Sequence, residues 1–170
     1  MTSKKLNKLV AAALMAALTC VATMVIPIPS PTGGFIHPGD AFVLLSGIIL
    51  GPIYGAFAAG IGSMLADILL SYPQFALATL VIKALAAVVG AMIYKRVRIA
   101  PVVFAGIFGG IVVTLGYLVF EAFLIGNGFA AAVAGVPANI IQNIVGIILS
   151  SLLLPLLRKA PQIRSMMDSK

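Results

Sequence analysis

Charged residues are scarce in this sequence, and their scarcity excludes an ordinary water-soluble fold. Only 9% of the 170 residues are charged and 62% are hydrophobic, whereas a soluble domain carries about 25% charged residues. The mean hydropathy is +1.19, so the lipid bilayer is the natural solvent of this chain. Nothing resembles a linker or a low-complexity tract, and we expect a single integral-membrane domain over residues 1–170.

Residue types that catalyse reactions or bind metals are equally rare. The chain has one cysteine, Cys20, one histidine, His37, and no tryptophan. This composition excludes an intramolecular disulfide framework, and no second nitrogen or thiolate ligand lies at a useful spacing from His37 for a zinc site. No Walker A, H-E-x-x-H or G-x-S-x-G sequence occurs, so the chain has no means of hydrolysing ATP. We predict a protein that is not an enzyme and that uses no metal or cofactor.

Basic residues outnumber acidic residues by 11 to 4, and their placement argues against a nucleic-acid partner. Ten of the eleven form three clusters, which are Lys4, Lys5 and Lys8, then Lys95, Arg96 and Arg98, then Arg158, Lys159, Arg164 and Lys170. Long apolar stretches separate the clusters, whereas a nucleic-acid surface would be continuous and carried on a soluble fold. The placement of the basic clusters therefore indicates the membrane topology of the chain.

Short segments that contain proline or glycine divide the apolar sequence into six runs. The runs cover approximately residues 9–26, 38–50, 53–70, 75–94, 101–125 and 130–157. Six crossings place both termini and the turn at 95–98 on one side, which the positive-inside rule makes cytoplasmic. We predict an all-α membrane protein, a six-transmembrane-helix bundle in a cell membrane. The short second run could instead be tilted or re-entrant, and removal of the first run as a signal peptide would leave five spans.

Asp67 and Lys83 lie inside two of these apolar runs, where ionisable groups face the bundle interior and pair or serve a function. They flank the turn "SYPQ", at depths of about 7 Å and about 15 Å below it. A lysine stem can extend along its own helix toward a partner. We predict a structural ion pair between Asp67 and Lys83, which either only joins the two runs or also contributes to a site.

Further polar side chains fall at a similar depth in other segments. Glu121 precedes the turn "GNG", and "VPANIIQNIVG" carries three amides at helical-neighbour spacing. A few directed polar groups in an apolar wall form the usual small-molecule site, while hydrogen bonding between helices is the alternative. The candidate ligand contacts are Glu121, Asn139, Asn143, Gln142, Lys83, Tyr72, Tyr117 and His37.

Three other features are interpreted structurally. Asp40 lies where the second run begins and suits the N-cap of its helix. Pro137 is expected to kink the last helix and to free backbone carbonyls. The glycines of "GAFAAGIG" and "GIFGGI" predict close helix packing rather than phosphate binding.

The stretch from "GGFIHPGDAF" through "GPIYGAFAAGIGSMLAD" to "SYPQFALATLVIKAL" resembles the substrate-binding S components of energy-coupling factor (ECF) vitamin transporters. The resemblance covers nearly the whole chain. Within the family, the sequence is similar to the branch with riboflavin, hydroxymethylpyrimidine and pyridoxine members. It implies a vitamin-capture protein of a prokaryotic cell membrane that docks on a transmembrane coupling subunit (EcfT-type) with two cytoplasmic ATPase subunits. It also implies a docking motif on the first helix, which looks like "ALMAA" with Ala13 and Ala17.

Departures from the family pattern bear on the ligand. Members that bind thiamine stack it on tryptophans, which this chain lacks. Asp67, Lys83 and Glu121 sum to one negative charge, which favours a cationic or hydrogen-bond-donating ligand. Hydroxymethylpyrimidine or pyridoxine is therefore expected ahead of riboflavin. A stand-alone secondary carrier or channel is the alternative from another class, and a purely structural membrane subunit is a further one.

Overall fold

The computed structural model of the protein describes residues 3–168, with side chains from residue 5 onward. Lys170 and the side chain of Lys4, both assigned to basic clusters, lie outside this description. The elements in chain order are α1 (Ser3–Val25), β1 (Ile28–Pro29), β2 (Phe35–Ile36), α2 (Asp40–Leu50), α3 (Pro52–Leu69), α4 (Pro73–Arg96), α5 (Pro101–Val119), a π-helical turn (Phe120–Leu124), α6 (Phe129–Val133), α7 (Val136–Leu157) and α8 (Pro161–Asp168).

Prolines set the starts of most helices that follow α2. Pro52, Pro73, Pro101 and Pro161 are each the first residue of a helix, where the missing N–H of proline would have no intrahelical acceptor anyway. Pro137 also lies in the first turn of its helix. The predicted last run, 130–157, is interrupted just before this proline, because α6 ends at Val133 and α7 begins at Val136.

Within residues 3–168, five helical stretches are long and apolar enough to cross a membrane. They are Lys5–Val25, Pro52–Leu69, Pro73–Arg96, Pro101–Leu124 and Phe129–Leu157. The all-helical membrane fold is confirmed, but the predicted count of six transmembrane helices is not. The element α2 has 11 residues, about 16 Å of helix, which is about half of a hydrocarbon core.

The short helix α2 forms the centre of the bundle. Ten of its 11 residues are buried, and α1, α3, α4, α5 and α7 all contact it. Its leucines and isoleucines form a core with Met15 of α1 and Leu154 of α7, against which Ile163 and Met166 of α8 pack. Burial on all sides explains why α2 lacks a polar face.

Close contacts at glycines confirm that these residues pack helices together. A side chain at Gly62 of α3 would collide with the backbone of Ala16 in α1, and one at Gly60 would lie 2.7 Å from the carbonyl oxygen of Leu80 in α4. In α5, a side chain at Gly110 would lie 2.8 Å from the amide of Asn143. Such approaches between backbones supply the van der Waals contact that lipid cannot replace.

The helix directions bring the described members of the three basic clusters to one end of the bundle. Residues 5–8 of α1 and residues 161–166 of α8 line a common cleft, and α4 ends at Arg96 just before α5 begins at Pro101. We call this end the basic end and the opposite one the far end. The loop 26–39, which contains the antiparallel pair β1–β2, enters the bundle from the far end.

Candidate functional site

A chain of buried polar groups crosses the bundle at the start of α2. Lys83 of α4 is fully buried, and its Nζ atom donates to Oδ1 of Asp40. The other oxygen of Asp40, Oδ2, accepts from Nε2 of Gln142 at 2.8 Å. Oε1 of Gln142 in turn accepts from the backbone N–H of His37 at 3.0 Å. We call Lys83, Asp40 and Gln142 the deep layer, and it links α4, α2, α7 and the loop.

His37 is held in one tautomer beside this layer. Its Nδ1 atom accepts a hydrogen bond from the backbone N–H of Gly39 at 3.1 Å, so the ring proton of the neutral imidazole is on Nε2. An Nδ1 atom that accepts a hydrogen bond carries no proton, so the imidazole is neutral in this arrangement.

The predicted Asp67–Lys83 ion pair is corrected by this arrangement, because Lys83 pairs with Asp40. The prediction placed Asp40 near the membrane surface on the assumption that its helix crossed the whole bilayer. Since α2 covers only half of that distance, Asp40 lies at the depth of Lys83, ten residues into α4. The predicted capping role of Asp40 is also wrong. Gly39 is the N-cap residue and no side chain caps this helix, because the two oxygens of Asp40 accept from Lys83 and Gln142 instead.

Above the start of α2, on the far side of the deep layer, the bundle contains a cavity. It includes about 400 Å³ of space between atoms, counting its open mouth. The loop supplies one wall, and the far halves of α3, α4, α5 and α7 supply the others. The lining residues are Ser30, Gly34, Phe35, Ile36, His37, Asp67, Phe75, Thr79, Tyr117, Glu121, Ala138 and Asn139. The cavity occupies the far part of the bundle, which the short helix α2 does not reach.

Two carboxylates in this cavity have an oxygen without a protein partner. Asp67 and Glu121 are each 4% exposed, and Oδ2 of Asp67 and Oε2 of Glu121 make no hydrogen bond. The other oxygen of Glu121 accepts from the hydroxyl of Thr32 in the loop at 2.9 Å. Buried polar atoms are rarely left unsatisfied, so these two oxygens are acceptors available to a ligand.

The position of Glu121 depends on a local change of helix type. Residues Phe120–Leu124 form a π-helical turn at the end of α5, in which the N–H of Ile125 bonds the carbonyl of Phe120 at 3.0 Å. Such turns occur mostly as single insertions and frequently at functional sites. This turn gives Glu121 its inward orientation toward the cavity.

Aromatic rings form much of the remaining wall. Phe35 of the loop contacts Tyr72 with ring centroids 4.8 Å apart, and Phe75 meets Phe120 edge to face at 5.6 Å. Tyr117 has its hydroxyl 2.8 Å from that of Thr79. A cavity with aromatic walls and two free carboxylate oxygens suits a flat ligand that carries hydrogen-bond donors.

The structure brings four of the eight candidate ligand contacts to the cavity, namely Glu121, Asn139, Tyr117 and His37. Lys83 and Gln142 belong to the deep layer below it, and Tyr72 supports Phe35 from behind the lining. Asn143 donates from Nδ2 to the carbonyl of Gly110 at 2.9 Å and to the hydroxyl of Thr114 at 3.0 Å, so it joins α7 to α5.

Sequence reasoning missed most of the contribution of the loop, from which it named only His37. Ser30, Thr32 and Phe35 lie in a segment treated only as a breaker between two runs, yet they contact or line the cavity. The available signal was composition, because "PIPSPTGGF" has polar and aromatic side chains at a depth where a plain connection would need neither.

The two alanines of the expected docking motif lie on an open face of α1. Ala13 and Ala17 are exposed, whereas Ala16 and Thr19 face α3 beside Gly62. An apolar groove between α1 and α3 includes both alanines together with Phe57, Ile61 and other residues. These alanines are therefore not used for packing inside the bundle.

Comparisons with known proteins agree with this architecture. A Pyrococcus woesei protein, described as an uncharacterized protein in the gap 3′ region, is 38% identical over 146 residues, which are 82% of this chain and 93% of that protein. A solved S component of a bacterial ECF transporter has the same fold, with a TM-score of 0.70 and 24% identity over 91% of this chain and 97% of the solved chain.

The family itself is shown by a model described as the S component of the ECF-type riboflavin transporter, which matches residues 3–159. The match includes every helix that lines the cavity and the loop that covers it. Members of this family are substrate-binding subunits of vitamin transporters in membranes, and they are not catalysts. The chain belongs to the family of S components of ECF-type riboflavin transporters.

Proposed function

We propose that this chain captures riboflavin in the cavity between the loop 26–39 and the far halves of α3, α4, α5 and α7. The observation that carries this proposal is the pair of buried, unpartnered carboxylate oxygens of Asp67 and Glu121 in an aromatic-walled space. The family match supports the choice of vitamin. It moves riboflavin ahead of the smaller vitamins, which a count of charges alone had favoured.

The chemistry of riboflavin fits these walls. Its flat tricyclic ring can pack against Phe35, Phe75 and Tyr117, and stacking of aromatic faces adds to the burial of apolar area. Its polyhydroxyl chain supplies O–H donors for the free oxygens of Asp67 and Glu121. Hydrogen bonds to charged acceptors are stronger than those between neutral groups, so the carboxylates would orient the chain as well as hold it.

Hydroxymethylpyrimidine or pyridoxine is the second candidate, and one observation favours it. Asp40 neutralises Lys83 in the deep layer, so the carboxylates of Asp67 and Glu121 have no ion-pair partner in the cavity. Two negative charges in one cavity attract a cation, and a protonated aminopyrimidine or a pyridinium would supply it. Riboflavin is neutral and meets the same carboxylates only through neutral donors, which are its hydroxyl groups and the imide N–H of its ring.

Calorimetric titration of the purified protein with each of the three vitamins tests the assignment. We expect the tightest binding for riboflavin and competition by the other two only at much higher concentration. Saturable binding of pyridoxine or hydroxymethylpyrimidine with no response to riboflavin would transfer the assignment to the second candidate. Absence of binding by all three would contradict vitamin capture.

Delivery of the vitamin into the cell is proposed to require partners. The chain contains no ATP-binding motif, and we infer that it docks through Ala13 and Ala17 on a transmembrane coupling subunit (EcfT-type) driven by two cytoplasmic ATPases. The basic end would then face the cytoplasm of a prokaryotic cell, and the cavity would open outward. Reconstitution in vesicles distinguishes this proposal from a stand-alone carrier, because accumulation of riboflavin by the lone chain would contradict it.

A further inference from the structure

The wall of the cavity formed by Phe35, Ile36 and His37 is attached to the bundle at its lower edge. The backbone N–H of His37 donates to Oε1 of Gln142, which is only 3% exposed and does not line the cavity. The side-chain amide of Gln142 donates from Nε2 to Asp40 and accepts at Oε1 from the backbone N–H of His37. Both ends of one side chain are thus used to connect the wall to the deep layer.

The orientation of this connection is fixed by charge. Oδ2 of Asp40 can only accept, so Gln142 must turn its Nε2 donor toward Asp40 and its oxygen toward the N–H of His37. Lys83 keeps Asp40 in place through the ion pair at Oδ1. Lys83 thus positions Asp40, and Asp40 positions Gln142. In this way the ammonium of Lys83 determines where Oε1 of Gln142 lies to accept from the backbone N–H of His37.

Lys83 also supports a second wall of the cavity. Its Nζ atom lies 5.4 Å from the centre of the Tyr117 ring, within the range of a cation–π interaction. The loop wall and the Tyr117 wall thus rest on one buried ammonium group. Neither Lys83 nor Gln142 lines the cavity, so any effect on ligand binding has to pass through the residues they hold.

We propose that Gln142 is a positioning residue, which sets the location of the Phe35–His37 wall and thereby the affinity of the cavity for its ligand. This inference rests on the proposed function for its effect on affinity, but the position of the wall can be measured without any ligand. The loop is also attached at the mouth of the cavity, where the hydroxyl of Thr32 donates to Glu121 and the carbonyl of Thr32 accepts from Nδ2 of Asn127 at 3.3 Å. The deep attachment through Gln142 involves no carboxylate of the cavity, so a ligand that binds Glu121 leaves it intact.

Ser150 provides a matched control on the same helix. Its hydroxyl is fully buried and donates to the carbonyl of Ala41 at 3.0 Å. Ser150→Ala therefore removes a buried hydrogen bond between α7 and α2, as Gln142→Leu does, but it leaves the bond to His37 untouched. A loss of stability through weaker packing of these two helices would affect both variants.

The experiment measures hydrogen–deuterium exchange at residues 35–39 in the ligand-free protein, together with the Kd and dissociation rate of riboflavin. For Gln142→Leu we expect exchange at His37 to accelerate and the Kd to rise about tenfold or more, the change that loss of one buried hydrogen bond produces. Ser150→Ala should change neither quantity. If Gln142→Leu does not fold, Gln142→Asn is measured instead, because the shorter amide cannot reach Asp40 and His37 together.

Three results would overturn the proposal, and two of them come from the exchange measurement. These two are unchanged exchange at residues 35–39 in the Gln142 variant and an equal acceleration in Ser150→Ala. If exchange accelerates only in the Gln142 variant but the wild-type protein binds no riboflavin, the positioning of the wall stands and the proposed function fails. If wild-type binding is tight and the Gln142 variant shows faster exchange with unchanged Kd, the positioning residue does not determine affinity and the inference fails.

Discussion

Asp40 and Glu121 are both buried carboxylates in the interior of this bundle, with exposed fractions of 7% and 4%, but their surroundings differ. Asp40 has an ammonium on one oxygen and an amide on the other. Glu121 has a threonine hydroxyl on one oxygen and nothing on the other. Because an unsatisfied buried charge costs free energy, the complete set at Asp40 indicates a structural role and the incomplete set at Glu121 indicates a ligand.

The largest effect is expected where the deep layer loses one member. Lys83→Met leaves the carboxylate of Asp40 buried without its counterion, which costs about 3–5 kcal/mol in free energy of unfolding. Thermal unfolding of the detergent-purified protein measures this loss. The exposed pair of Arg164 and Asp168, 3.9 Å apart, offers the control, because Arg164→Gln should leave stability nearly unchanged.

The double variant Lys83→Met/Asp40→Asn sharpens the same comparison. It removes both charges, so much of the stability lost in Lys83→Met should return. A double variant as unstable as the single one would show that Lys83 stabilises the bundle by packing rather than by pairing with Asp40.

The next largest effect is expected in the cavity. A substitution there should lower ligand affinity rather than the free energy of unfolding. Glu121→Gln removes a charge that has no ion-pair partner, so the free energy of unfolding should stay level or rise. Riboflavin affinity should fall by about 10- to 100-fold, because a hydrogen bond to a charged group contributes about 1.5–3 kcal/mol. Calorimetry gives the affinity, and Asp168→Asn at the basic end controls for the change in net charge.

A stability loss in Glu121→Gln without any change in affinity would break the comparison between the two carboxylates. Glu121 would then be a structural group that holds Thr32 and the loop. The free oxygen would have another explanation, and the site would have to be sought elsewhere in the cavity.

Sequence patterns predicted the long helices well because apolar runs and prolines are local features. The run at 101–125 corresponds to Pro101–Leu124 and the run at 75–94 lies within Pro73–Arg96. The basic clusters also predicted six crossings, a count that the structure does not confirm. Within the described residues, five helical stretches are long enough to span a membrane, and α2, with 11 residues, covers only about half of a hydrocarbon core.

Pairings between distant residues could not be predicted in the same way. The partner of Lys83 depends on the depth at which α2 starts, and no local pattern specifies that depth. Non-helical backbone is tolerated at membrane depth where it is buried in protein or lines a cavity. The length of the second run therefore did not specify the depth at which α2 begins. The error about Asp67 followed directly from this one missing distance.

A smaller effect is expected at Tyr117, which belongs to both regions. Tyr117→Phe removes the hydroxyl bonded to Thr79 but keeps the ring over Lys83. We expect a loss of about 0.5–1.5 kcal/mol in the free energy of unfolding, the usual contribution of one hydrogen bond. Tyr117→Leu, which also removes the ring, should lose more, and equal losses in the two variants would show that the contact with Lys83 has no weight.

The smallest effect on the isolated chain is expected on the open face of α1. Ala17→Trp adds a ring to an exposed position outside the core, so riboflavin affinity and thermal stability should remain near those of the wild-type protein. Close approach of helices in lipid depends on small residues, and a tryptophan at this position should therefore prevent docking of the coupling subunit and abolish ATP-driven uptake in reconstituted vesicles. Ala16→Trp is the contrast, since Ala16 faces Gly62 across the α1–α3 contact and should destabilise the chain itself. Loss of riboflavin binding by the isolated Ala17→Trp variant would mean that this face builds the cavity, and undiminished uptake would remove Ala17 from the docking surface.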